Sequence, residues 1–380
     1  VDDQADAFWM ARALAEAERG RGAVEPNPMV GAVVVADGRA VGIGHHAHFG
    51  GPHAEVVALA AAGPSARGAT LYVTLEPCCH QGRTPPCAEA VLDAGITRVV
   101  AALRDPFPRV AGGGFDRLRA AGVAVDGGVG AGAARLQNAP YLKRLITGRP
   151  FAIAKWAMTL DGKAAAASGD SRWISGERSR AIVHDRRGRV DAIAVGIATA
   201  LADDPMLTAR PPGPRVATRV VLDSAARLPI GSKLVRSAAE APVFVAANDR
   251  APADRIRALE AAGCAVVVLP GDGPVPVAAL LDELGRRGAT NLVVEGGGRV
   301  LGSFFDAGEV DEVEVYIAPA IEGGDHPFGP VRGAGVARMV DALRLAEVTF
   351  QELAGDLRLS GPIARPWRLA AEAATAPDRA

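Results

Sequence analysis

Two short fragments about two dozen residues apart restrict this chain more than anything else in it. They are His53-Ala54-Glu55 and Pro77-Cys78-Cys79-His80-Gln81-Gly82-Arg83-Thr84-Pro85-Pro86-Cys87. Together they offer an imidazole, well-separated thiols and a carboxylate. Zinc takes nitrogen and sulfur donors in a tetrahedral shell, and a catalytic zinc leaves its fourth position to water, whose pKa it lowers to about 7. His53, Cys78 and Cys87 fill three positions in that scheme, and Glu55 stays off the metal as a proton carrier. The chain must fold so that the two fragments meet.

A non-ligating glutamate in H-x-E, followed by P-C-x-x-C, marks zinc deaminases that act on nucleobase-like rings. Here the second thiol, Cys87, stands nine positions after Cys78, across a loop of Gly, Arg, Thr and two prolines. This departs from the general spacing.

At 380 residues there is room for two domains, each with its own core. The formal net charge of −1 and the absence of a basic stripe argue against nucleic acid as a partner. The densest basic run, Arg186-Arg187-Gly188-Arg189, is short and suits a solvated helix end. Three of the four cysteines crowd one loop and Cys264 lies far away in an apolar run. That is a poor disulfide framework and a good metal loop in a reducing, cytoplasmic setting. The first residues are acidic (Asp2, Asp3, Asp6), unlike a signal peptide, and no apolar run is long enough to span a bilayer.

In chain order, residues 5–19 carry apolar positions at helical spacing up to Gly20. Pro26-Asn27-Pro28 reads as a turn, with Asn27 an ordinary turn residue. Apolar runs at 30–35 and 40–43 flank Asp37-Gly38, a strong hairpin signal. An imidazole-rich loop containing His46 follows, and a helix opens at His53. A ligand at a helix N-terminus is held rigidly, and the free N–H groups there favour an anion. His53 and Glu55, two apart, do not stack on one helix face, which suits separate jobs. Strands at 70–75, 95–101 and 123–125 alternate with helices at 87–94 and 114–121, predicting a sheet covered by helices on both faces.

Residues 136–150 read as the closing segment of the first domain, with Gly148 and Pro150 at its boundary. The next apolar strand, 151–158, has Lys155 at its centre; a buried lysine is rare unless paired, so it either snorkels outward or belongs to a site. Asp203-Asp204 before Pro205 suits a helix cap or a turn. Strands at 192–195, 216–223, 243–246, 265–269 and 291–294 alternate with helices at 177–187, 252–262 and 277–287. The strand 291–294 runs into Glu295-Gly296-Gly297-Gly298-Arg299 and a helix over 300–305, a junction whose backbone N–H groups can approach a phosphate. Further strands fall at 311–319, 345–353 and 356–359, and from Gly361 the Ala/Pro/Arg-rich composition suggests a loose tail.

The string Pro-Cys-x-His-x-Gly-Arg-Thr-Pro-Pro-Cys over 77–87 resembles the deaminase half of the bifunctional deaminase–reductase family of riboflavin biosynthesis. The second half resembles the reductase of the same family. The strings that carry this are Lys155-Trp-Ala-Met-Thr-Leu-Asp-Gly162, Ser168-Gly-Asp-Ser-Arg-Trp-Ile174, Ala198-Thr-Ala-Leu-Ala-Asp-Asp-Pro205, Leu222-Asp-Ser224 and Glu295-Gly-Gly-Gly298. The resemblance spans residues 5 to 360. It implies an N-terminal cytidine-deaminase-like α/β/α domain over 1–147, a dihydrofolate-reductase-like α/β domain over 148–362 and a flexible tail over 363–380. It also implies one Zn2+ on His53, Cys78 and Cys87, with Glu55 as the proton shuttle. Asn27, His46, Arg83 and Thr84 are similar to residues that hold the aminopyrimidine and its ribose phosphate. In the reductase, NADPH contacts fall on Ala157, Trp173, Thr199, Asp203, Ser224, Gly297, Gly298, Arg299, Val300, Leu301, Gly302 and Ser303. Substrate contacts fall on Ser171, Arg187, Leu207, Arg210 and Glu295, and Lys155 and Glu295 join Glu55 as catalytic candidates. Arg187 and Arg210 suit a phosphate, which wants forked cationic donors. Cys79 departs from the Ser or Gly more usual at its position.

The resemblance implies a small phosphoribosyl-aminopyrimidine substrate, a homo-oligomeric enzyme, and no membrane or nucleic-acid partner. Two rivals are a nucleic-acid base deaminase with a C-terminal binding domain, and a structural zinc module joined to a nucleotide-binding domain. The latter requires a fourth protein ligand, from Cys79 or His80.

Overall fold

Asp37 and Gly38 both take positive φ (50° and 69°), as a two-residue hairpin turn demands, and they join two antiparallel strands. In this computed structural model residues 3–81, 85–325 and 328–376 are described. In order, the first unit contains α1 (Asp3–Glu18), β1 (Gly31–Ala36), β2 (Arg39–His45), α2 (Ala54–Ala62), β3 (Thr70–Val73), α3 (Cys87–Asp93), β4 (Arg98–Ala101), α4 (Gly113–Ala120), β5 (Ala124–Gly127), α5 (Ala131–Gln137) and α6 (Ala139–Thr147). Its five strands lie in the order β2-β1-β3-β4-β5, with β3, β4 and β5 parallel. Successive strand residues point to opposite faces. Ala32, Val34, Leu71, Val73, Val99 and Ala101 therefore enter one apolar cluster with α2, α3 and α4, while Val33, Val35, Tyr72 and Val100 enter another with α1 and α5. Helices cover both faces, as the alternation predicts.

The second unit contains β6 (Phe151–Thr159), α7 (Glu177–Arg187), β7 (Ala192–Gly196), α8 (Ile197–Asp203), β8 (Thr218–Leu222), α9 (Lys233–Arg236), β9 (Val243–Asn248), α10 (Ala253–Ala261), β10 (Ala265–Leu269), α11 (Val277–Arg286), β11 (Asn291–Val294), α12 (Gly298–Asp306), β12 (Glu312–Ala318), β13 (Thr349–Leu353) and β14 (Asp356–Pro362). Nine strands run in the order β10-β9-β8-β7-β11-β6-β12-β14-β13, parallel except where β14 pairs with β12 and β13. The central parallel strands β7, β8, β9 and β11 are buried on both faces, which accounts for their continuous apolar runs, while the edge strand β10 is partly exposed. Ala152, Ala194, Val220 and Phe244 pack with Leu280, Leu284 and Phe304 on one of them.

Residues 136–150 contain the last two residues of α5 and the whole of α6. Two expectations change. The strand expected over 345–353 begins only at Thr349, with Leu345 making a lone bridge to Ile363. The tail expected to be loose forms α13 (Pro366–Thr375), whose Ala371 and Thr375 are buried. Alanine is the best helix former, and a composition rich in it conceals a helix that needs only one small apolar face. The chain thus divides into Val1–Gly148 with Pro366–Ala380, and Arg149–Arg365.

Candidate functional site

The loop after β2 places His53 as the N-cap of α2, so the imidazole stands at the helix mouth and Glu55 lies in its first turn. Beyond β3, Glu76-Pro77-Cys78 emerges at the carboxyl end of the strand, and Cys87 opens α3. These pieces converge. His53 Nδ1 is 3.2 Å from Cys87 Sγ and 3.6 Å from Cys78 Sγ, and the three donor atoms lie within 4.8 Å of one another. Tetrahedral zinc with ordinary Zn–N and Zn–S bonds separates such donors by roughly 3.5 Å, so the set fits that metal. Among the described residues neither Cys79 nor His80 joins the group. The Cys79 thiol instead approaches the carbonyl oxygens of Arg109 and Val110, at 3.7 and 4.0 Å. The four-ligand structural module therefore lacks its fourth ligand there.

Electrostatics follow from crowding. Hydrogen bonding from Cys87 holds the Cys78 thiol well below its usual range, while Cys87 itself is pushed up by that contact and by burial. Hydrogen bonding to Cys78 raises His53. Glu55 is 3% exposed, and burial, reinforced by the nearby Cys78 charge, pushes its carboxyl up to about 7. Asn27 Nδ2 is 3.3 Å from His46 Nε2, His46 Nδ1 is 3.0 Å from the Pro52 carbonyl, and the His46 ring stands edge-on to His53 at 5.5 Å. Asn27, expected as a turn residue from local sequence alone, faces the metal-ligand set through His46. Arg83 and Thr84 lie outside the described residues.

Lys155, Thr199 and Glu295 lie on β6 and just beyond β7 and β11, on the side where open α/β sheets bind ligands. Glu295 follows β11 directly. It accepts a two-pronged hydrogen bond from Arg187 at 2.8 and 2.7 Å, and Lys155 Nζ lies 3.6 Å away. Burial would raise the Glu295 carboxyl, but the charges of Arg187 and Lys155 outweigh it and hold it at about 2. Lys155 is thus paired and also sits 5.8 Å from the centre of the Tyr316 ring. Leu207 is buried with φ 53°, and Arg210 is 3.4 Å from His184 Nε2.

Thr199 Oγ1 accepts the Gly297 N–H at 3.2 Å, tying α8 to the start of α12. Arg299, Val300, Leu301 and Ser303 ride on that helix. Gly298 and Gly302 have a packing reason of their own: a Cβ on Gly302 would fall 1.4 Å from the Arg332 carbonyl oxygen, and the Arg332 N–H donates to the Gly298 carbonyl. Asp203 takes the Arg172 guanidinium on its carbonyl, closing α8 before Asp204 turns with positive φ. Trp173, with Arg180 stacked 4.7 Å from its ring centre, is largely exposed, while Ser171 and Ala157 are half-buried. Ser224 accepts the Asn248 N–H on its carbonyl, just beyond β8.

Sequence reasoning missed two supporting residues. The buried Glu76 accepts backbone N–H groups from Asp105, Gly112, Gly114 and Phe115; its position just before Pro77-Cys78 was the available signal. His184 stands between the Thr208 carbonyl (3.2 Å from Nδ1) and Arg210, one helical turn before Arg187.

Residues 3–103 match the cytidine and deoxycytidylate deaminase zinc-binding region, and residues 150–359 match the RibD C-terminal domain. The chain is 39% identical over 353 residues to the riboflavin biosynthesis protein RibD of Aquifex aeolicus, covering 93% of this chain and 97% of that one. It is 41% identical over 351 residues to RibD of Escherichia coli K12, covering 89% and 94%. Among solved structures, RibD of Acinetobacter baumannii superposes with a TM-score of 0.82 at 35% identity, covering 96% of this chain and all of that one. The diaminohydroxyphosphoribosylaminopyrimidine deaminase/5-amino-6-(5-phosphoribosylamino)uracil reductase of Thermotoga maritima gives 0.81 at 32%, with the same coverage.

Proposed function

The chain belongs to the RibD family of bifunctional riboflavin-biosynthesis enzymes, a zinc-binding deaminase domain followed by a reductase domain, and on that premise we propose its substrates, cofactor and residue roles. The first reaction removes the C2 amine of 2,5-diamino-6-ribosylamino-4(3H)-pyrimidinone 5′-phosphate by hydrolysis. The second reduces the ribosyl side chain to ribityl with NADPH. The observation that carries this is the meeting of His53, Cys78 and Cys87 at one point with a buried, non-ligating Glu55 beside them.

His53 Nδ1 and the sulfurs of Cys78 and Cys87 would hold zinc, which would supply positive charge and an acidified water. Glu55, with an affinity for protons near neutrality, is placed to take a proton from the attacking water and pass it to the departing amine, so that ammonia leaves as a neutral molecule. Asn27 and His46 orient the pyrimidine, while Arg83 and Thr84 hold its ribose phosphate. In the reductase, bound NADPH would supply the hydride for C1′ of the ribosyl side chain. Thr199, Asp203, Ser224, Trp173, Ala157 and the turn from Gly297 to Ser303 cradle the nucleotide. Arg210 and Arg187 face the substrate phosphate, with Ser171 and Leu207 shaping the pocket. Lys155, 3.6 Å from Glu295, hands over the proton that balances the hydride.

Among the described residues no helix is long and apolar enough to cross a membrane. The free thiols Cys78, Cys79 and Cys87 support a reducing cytoplasm as the setting. Met339, Val340, Leu343 and the edge-strand residue Phe350 are exposed apolar side chains, and they support a homo-oligomer. The decisive experiment incubates the protein with the diaminopyrimidine, with and without NADPH, and follows products by mass. Without NADPH the expected product has oxygen in place of the amine, with ammonia released; with it, that product gains a hydride and a proton. An unchanged substrate in zinc-replete protein would overturn the assignment.

A further inference from the structure

The helix α13 follows the reductase in sequence but belongs to the first unit, where it packs against α6. Ala371 and Thr375 are the residues it buries. The last carbonyls of a helix have no partner within it and carry its partial negative charge. At Thr375 that carbonyl accepts the backbone N–H of Arg104 at 3.1 Å.

Arg104 is the hinge of a wall beside the metal-ligand loop. Its neighbour Asp105 donates its N–H to Glu76 Oε2 at 3.1 Å, and Leu103 accepts the Glu76 N–H at 2.9 Å. The Arg104 guanidinium donates to the Ala111 carbonyl, and Gly112, Gly114 and Phe115 return N–H groups to Glu76. From α6, Tyr141 donates its hydroxyl to Asp105 at 2.9 Å. The wall then touches the ligand loop directly: Cys79 Sγ approaches the Arg109 carbonyl, and the Phe107 ring lies 6.0 Å from that of His80. Glu76, gripped by this wall, stands two residues before Cys78.

We propose that α13 is a positioning element of the deaminase site: its C-terminal carbonyl and buried small face pin Arg104 and α6, and so fix the wall on which Glu76 and the Cys78-Cys79 turn rest. This rests on reading His53, Cys78, Cys87 and Glu55 as the deaminase site. A helix that follows the reductase in sequence thereby sets the geometry of the site in the first unit, with no contact to substrate.

The test uses full-length protein, a chain ending at Arg365, and the variants Ala371→Arg and Ala371→Ser, each assayed for ammonia release, zinc content and NADPH oxidation on deaminated substrate. A misplacement of catalytic groups by an ångström costs on the order of a hundredfold. Deletion and Ala371→Arg should therefore lower the deamination kcat by about ten- to a hundredfold. Zinc content and the reduction rate should hold, and Ala371→Ser should stay near the parent. Unchanged deamination after deletion would overturn the proposal, as would zinc lost in proportion to activity, or reduction falling in step. Glu55→Ala separates the two levels. If it deaminates like the parent, the site assignment itself fails; if it alone is inactive while the deletion works normally, only the role of α13 fails.

Discussion

Glu55 and Glu295 are both buried beside the chemistry of their own domains, yet their protons behave in opposite ways. Glu55 has no guanidinium or ammonium among the groups that shift it; burial and a neighbouring thiolate push it up to about 7. The Glu295 side chain is also largely enclosed, 6% exposed, but Arg187 and Lys155 hold it at about 2. Burial sets the cost of charge, and the partners decide whether that cost is offset. A carboxylate that must accept and release a proton is left without a guanidinium or ammonium partner. One that must hold two cations in place is surrounded by them.

The largest effect that sharpens this contrast is expected from Glu55→Ala. Deamination should fall by about 10²–10⁴-fold, the usual contribution of a positioned proton carrier, while reduction of pre-deaminated substrate keeps its rate. Ammonia release and NADPH oxidation on one preparation check both, and loss of both together would break the separation of the sites. Next, Glu295→Gln keeps the shape but leaves Arg187 and Lys155 facing an amide. Reduction should drop roughly tenfold to a hundredfold as Lys155 loses its aim, with deamination unchanged.

The same residue carries a pH signature. Its folded pKa lies below the ordinary 4.5, so its stabilisation is fully present above that value and is lost as pH falls towards about 2. Acid titration of the folded protein should show a loss of ~3 kcal/mol across that window, and Glu295→Gln should flatten it. A wild-type profile as flat as the variant's would remove the opposition between the two carboxylates. The smallest effect is expected from Asn27→Ala. Loss of the contact to His46 should raise the KM for deamination about fivefold, as the loss of one hydrogen bond does, and leave NADPH oxidation alone.

Local chemistry made several parts legible. Donor types at 53, 78 and 87 named a metal, Asp37-Gly38 named a hairpin, and alternating strands and helices named the layers. The rest depended on partners remote in the chain. Lys155 could be read as snorkelling or as part of a site, because Glu295 lies 140 positions away and only the pairing of β6 with β11 brings them together. Asn27 looked like a turn residue because His46 reaches it only across the folded loop. Glu76 offered only its place before Pro77-Cys78 as a signal, since its four N–H donors come from a separate loop and the start of α4.

The sequence by itself determined which groups could bind a metal or carry a proton, because donor type is a property of the side chain. It also determined the layered α/β plan, because strand and helix periods are local. Tertiary structure alone decided the protonation of Glu55 and Glu295, the pairing of Lys155 and the docking of α13. Each of these is set by neighbours, and by the water they exclude, that meet only when distant segments pack.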